Sequence, residues 1–136
     1  MAQRETRILQ GGRAKAYRPM VLARRRAALR AGLEAYDRGD VFLAHELLEP
    51  AWMGTRDLEE RELMQGIIKL AAAFVHAARG NPAGVAKNLV GAREHLANAG
   101  EAGARIGIDV AALLLAVDAR LAKPIDLGEP PIAIQR

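Results

Sequence analysis

The chain contains no cysteine and no serine, and only 5 of its 136 residues are aromatic. Without thiols there are no disulfides, no thiolate metal centres and no cysteine nucleophile. Without serine, serine-based hydrolase and recombinase chemistry is excluded, and the hydroxyls left are Thr6, Thr55, Tyr17 and Tyr36. β-branched residues are sparse, with 7 Val, 8 Ile and 2 Thr, whereas 28 of the 69 apolar residues are Ala. That balance favours helix over sheet. The longest apolar stretch, Leu63 to Ala78, is interrupted by Gln65, Lys69 and His76, and it falls short of the ~20 residues a membrane helix needs. No apolar segment of signal-peptide type follows the basic start. These absences predict a cytoplasmic protein with no membrane role, whose chemistry is confined to carboxylates, imidazoles, guanidinia and amides.

The formal net charge of +4 is unevenly spread. Residues 1–30 hold 9 basic groups against the single acid Glu5, whereas residues 31–136 hold 11 basic and 15 acidic groups. Residues 1–18 show no apolar periodicity and contain Gly11-Gly12, so they read as a basic, flexible or loosely docked arm suited to an acidic partner. Arg24-Arg25-Arg26 offers phosphate contacts, or else a solvated helix face. With no aromatics interleaved, nucleic acid is the least favoured partner.

The body, residues 19–123, reads as one all-α domain. Pro19 suits the first turn of a helix running to about Arg38, with Leu22, Leu29, Leu33 and Tyr36 on one stripe and Gly39 as its stop. Asp40 is placed to cap a second helix, Val41 to Met53, in which Pro50 predicts a kink or an early end. Asp57 and Glu60 have capping-box spacing for a third helix, ended by Gly80. Asn81-Pro82 opens a fourth, which turns Val85, Leu89, Ala92 and Leu96 inward. A glycine-rich connection then leads to Asp109 and a fifth helix to about Leu121. Pro124, Pro130 and Pro131 hold residues 124–136 as an extended tail. The expected fold is a compact bundle of about five helices built from antiparallel helical hairpins. The turns Tyr36-Asp-Arg-Gly-Asp40 and Ala77-Ala-Arg-Gly-Asn81 echo each other, which resembles the hairpin unit of tetratricopeptide repeats without their period. Apolar faces on so many helices also suit a homodimer.

The informative polar residues fall on two helices. At 100° per residue from His45, Glu49 lies at about 40°, Glu46 at about 100° and Trp52 at about 340°, one stripe on an otherwise apolar helix. From Arg61, Gln65 lies at about 40°, His76 at about 60° and Lys69 at about 80° on the next helix. Facing stripes would gather all of these side chains. One reading is a ligand or active site, with Glu46, Glu49 and His45 as acid/base groups and Trp52, Arg61, Gln65, Lys69 and His76 binding a small anion. His45, Glu49 and His76 would be the ligands if a metal were held, though no cofactor is firmly implied. The other reading is a satisfied polar network that fixes helix register, in a hairpin module that binds other proteins. Trp52 reads as a core anchor, and His95 as a surface or helix-end histidine.

Three blocks in order carry a resemblance: Phe42-x-x-His45-Glu46-x-x-Glu49-x-x-Trp52, Arg61-x-x-x-Gln65-Gly66-Ile67-Ile68 and His76-x-x-Arg79-Gly80-Asn81-x-x-Gly84. Over about residues 36–100 the chain resembles the small bacterial and archaeal family called "domain of unknown function 309". The resemblance implies an all-α bundle with signature residues at His45, Glu46, Glu49, Trp52, Arg61, Gln65 and His76, and it implies no reaction. Lys69 stands where the family pattern tends to have Gln, and Pro50 interrupts the second helix.

Overall fold

The computed structural model describes the backbone of residues 7–10 and 13–16 and all of residues 19–136. The rest of the expected arm, including Thr6 and Tyr17, lies outside the described residues. Within the arm, β1 (Arg7–Gln10) pairs antiparallel with β2 (Arg13–Ala16), Arg7 opposite Ala16 and Gln10 opposite Arg13. The described part of the arm therefore carries pairing that the missing apolar periodicity did not reveal.

All else that is regular among the described residues is helical: α1 (Leu22–Asp37), α2 (Val41–Met53), α3 (Leu58–Ala78), α4 (Pro82–Ala97), α5 (Ala102–Ile106) and α6 (Val110–Leu121). The side chains of Asp40, Asp57, Asn81 and Asp109 each accept a hydrogen bond from the backbone N–H three residues on. Each cap thus satisfies a donor that the helix itself leaves open. Gly39 and Gly80 take positive φ, 82° and 72°, where α1 and α3 stop.

Several local expectations need correction. Pro19 lies outside α1, whose extended N-cap is Val21. Glu60 does not complete a capping box; its carboxylate instead pairs with Arg26 Nη2 of α1 at 2.9 Å. Pro50 does not end α2, because a proline removes only one donor and the turn beyond it is held by the buried Ala51 and Trp52 and by Gly54 N–H donating to Pro50 O at 3.0 Å. The connection between α4 and α6 contains α5, a single short turn of helix that its glycines concealed.

α3 is the axis of the bundle. It buries Leu63, Met64, Gly66, Ile67, Leu70, Ala71, Ala73 and Phe74, because α2 covers one side and α4 the other. Two glycines set the spacing. A Cβ on Gly32 would stand 2.6 Å from Leu48 Cγ, bringing α1 onto α2, and one on Gly66 would stand 2.7 Å from Leu96 Cγ, bringing α4 onto α3. Arg93 on α4 pairs with Asp118 on α6.

The tail is a packed strap. Ile132 and Ile134 are buried while Ala133 and Gln135 face outward, the two-residue alternation of an extended chain lying on a core. Buried Tyr36 donates its hydroxyl to Ile132 O at 2.6 Å, Asp109 N–H donates to Gln135 O at 2.9 Å, and Arg136 pairs with Asp37 at 2.6 Å.

Two measurements check this description. Gly66→Ala forces a methyl into Leu96, so unfolding in urea is expected to show a loss of about 1–3 kcal/mol; an unchanged midpoint would refute the tight seam. Burial pushes the Tyr36 phenol well up, with Arg120 lowering it and Asp37 raising it in smaller measure. The unfolded chain releases that proton above about pH 10 and the folded chain keeps it, so this contribution is full below about pH 10 and is lost as pH rises beyond. Wild type is expected to lose more stability between about pH 9 and about pH 11 than Tyr36→Phe, itself destabilised by about 1–3 kcal/mol through the unpartnered Ile132 carbonyl. Equal losses would contradict the assignment.

Candidate functional site

On the α3 wheel Gly66 lies about 140° from Arg61, close to Glu62 at about 100°. Closure of α4 upon Gly66 therefore brings α4 along the flank of the polar stripe. His95 immediately precedes Leu96, the residue seated on Gly66, and its Nδ1 stands 2.7 Å from Glu62 Oε2. A carboxylate only accepts, so His95 Nδ1–H donates to Glu62. From the other side the end of α2 supplies Trp52, which is 2% exposed. Trp52, Arg61, Glu62, Gln65 and His95, with Leu58 at the edge, line a recess of about 80 Å³, the room of two or three water molecules at roughly 30 Å³ each.

Two of the lining side chains carry a buried atom, Arg61 Nε and Gln65 Oε1, that has no hydrogen-bond partner among the described residues. Native interiors satisfy most such atoms. One is a charged donor and the other a neutral acceptor, four residues apart on one helix face.

The expected meeting of the two stripes along their whole length does not occur. Glu46 and Glu49 line a different recess of about 340 Å³, with Pro19, Met20, Pro50 and Met53. His45 is half-buried on α2 and lines neither recess. Lys69 lays its stem along Gly91 of α4, whose Cβ would lie 3.4 Å from Lys69 Cδ. His76 belongs to the turn into α4, where Asn81 Nδ2 donates to its Nδ1 at 3.1 Å and a Cβ on Gly84 would meet its ring at 2.4 Å. The reason is the Gly66 seam, which gives the far end of the stripe to α4. His45, Glu49 and His76 are not gathered, and among the described residues no group of three His, Asp or Glu side chains could hold a metal ion.

Trp52, Arg61 and Gln65 are thus the predicted residues that the fold unites. Glu62 and His95 complete the recess and were missed, and the reading of His95 as a plain surface or helix-end residue is amended by its carboxylate partner. The signal was present in part: His95 adjoins Leu96 of the inward stripe, and Gly66 is the only glycine inside α3. Arg24-Arg25-Arg26 is not a uniformly solvated face either. Arg26 pairs with Glu60, and Arg25 Nη1 donates to Met20 O at 3.1 Å.

The described chain is a bundle of six helices with a small polar recess where α2, α3 and α4 meet. Residues 29–88, from within α1 to within α4, match the family model described as "Domain of unknown function (DUF309)". No curated protein and no solved structure matches the chain. Among the described residues, no helix is long and apolar enough to cross a membrane.

Gln65→Met removes the unpartnered acceptor at similar volume. The expected outcome is a gain of about 1 kcal/mol in urea unfolding. A loss of that size would mark Gln65 as a satisfied member of a structural network.

Proposed function

We propose that the chain is a ligand-binding protein whose recess between Trp52, Arg61 and Gln65 takes one small anion. The observation that carries this reading is the buried pair of unpartnered atoms, Arg61 Nε and Gln65 Oε1. A carboxylate that accepts from Arg61 gains a charge-assisted bond. A hydroxyl or N–H next to that carboxylate donates to Gln65, so the complementary ligand is a small α-hydroxy or α-amino acid head, and the flat indole of Trp52 forms the apolar wall. Such groups were left unsatisfied at some cost to stability, as sites often are.

A hydrolytic use of the recess falls to His95, held through Nδ1 by Glu62 so that Nε2 is left for a water. Glu46 and Glu49, which line the other recess, do not share in it. The His95–Glu62 contact is the feature that favours this second reading.

Glycolate carries both complementary groups, and acetate lacks the donor. Calorimetric titration of wild type is expected to show glycolate binding more tightly than acetate. Arg61→Met should weaken both by about tenfold or more, while Gln65→Met should reduce glycolate to the level of acetate, a loss of about 1–2 kcal/mol. Glycolate heats that are absent, or that survive Arg61→Met unchanged, would sink the proposal.

A further inference from the structure

A separate recess of about 270 Å³ opens between α1, α5 and the strap. Leu29 and Leu33, 3% and 6% exposed, form its floor, and Ile106 of α5 its apolar side. Three guanidinia and one carboxylate surround it: Arg26, Arg30, Arg136 and Glu34. Two of the cations are anchored from outside the recess. Arg26 holds Glu60 through Nη2 at 2.9 Å, and Arg136 holds Asp37 at 2.6 Å. Glu60 and Asp37 therefore neutralise those two charges but also fix the planes of both guanidinia, and Arg26 is left with a buried Nη1 that has no partner among the described residues. Arg30, one turn on from Arg26 along the same face of α1, forms no ion pair among the described residues.

From this arrangement we infer a second binding site, for a monocarboxylate with a short apolar body. Its head takes the open charge of Arg30, and its carbon chain covers Leu29, Leu33 and Ile106. Charge and shape both narrow the class. Glu34 stands on the rim, so a dianion such as phosphate meets repulsion that a single carboxylate largely avoids. The apolar floor rewards each buried methylene by about fourfold in affinity, which a bare inorganic anion cannot collect. The volume, about nine water molecules at roughly 30 Å³ each, admits a chain of several carbons and not a long acyl tail. The site is distinct from the Trp52 recess and shares none of its residues.

The test titrates the full chain with hexanoate, acetate, hexanol and inorganic phosphate, following methyl resonances of Leu33 and Ile106 by NMR. Hexanoate is expected to bind with a dissociation constant of about 1 mM or tighter, and to shift those methyls. Acetate and hexanol, each lacking one half of the ligand, should bind at least about tenfold more weakly. Arg30→Met keeps the stem of an exposed side chain and removes its charge; it should cost hexanoate about tenfold or more, with the thermal midpoint unchanged. Arg61→Met, in the other recess, should leave hexanoate binding as it is. Four results would overturn the inference: no shift at Leu33 and Ile106, hexanol binding as well as hexanoate, phosphate binding as well as hexanoate, or full binding by Arg30→Met.

Discussion

The close approach of Leu96 to Gly66 is the constraint on which the rest of the bundle turns. A side chain at position 66 would hold α4 away from α3, because a Cβ there would stand 2.7 Å from Leu96 Cγ. With hydrogen in its place the two helices meet, and His95 is brought to Glu62 in the same movement. The recess beside Trp52 is a by-product of that seam. One missing methyl thus links core packing to the polar chemistry, and backbone spacing decides which charged groups become neighbours.

The charges follow the same logic throughout the described chain. Glu60 is mostly buried and answers Arg26, while Asp37 answers Arg136. Arg105 of α5 reaches Asp57 and Glu59 at the start of α3. Exposed pairs of this kind contribute little to stability one by one. Their effect here is positional, because the Asp37–Arg136 and Arg105 pairs tie a terminal or short segment to a longer helix, while Glu60–Arg26 joins α3 to α1. The buried guanidinium atoms without partners among the described residues, on Arg25, Arg26 and Arg61, therefore stand out against a background in which most arginines of the body are occupied.

Local features were legible in the sequence because their causes are local. Asp40, Asp57, Asn81 and Asp109 cap the helices they precede, since a cap depends on three or four consecutive residues. The inward stripe of Val85, Leu89, Ala92 and Leu96 is buried, as the helical period requires. Long-range facts were harder to read. Wheel angles place Arg61, Gln65, Lys69 and His76 on one stripe, but they do not say which neighbour each part of that stripe meets. Only the depth of the Gly66 contact decides that α4 takes Lys69 and His76 while Trp52 of α2 meets Arg61 and Gln65. His95 and Glu62 are 33 residues apart, a separation that no periodicity within a single helix can bridge. α5 was hidden because glycine is a poor guide to a helix this short.

The strap gives the fold a direction in time. Tyr36 lies in α1 and its hydroxyl is satisfied, among the described residues, by the carbonyl of Ile132, a separation of 96 residues. In a chain made from the N-terminus onward, the groove that Ile132 and Ile134 fill stays open until almost all other core residues have been made. Such distant closures carry a loop entropy cost before any contact rewards them. Until the strap arrives, the nascent bundle shows an apolar groove and a buried hydroxyl without its acceptor, so a chain stalled before residue 132 is the form most exposed to chaperone capture or proteolysis.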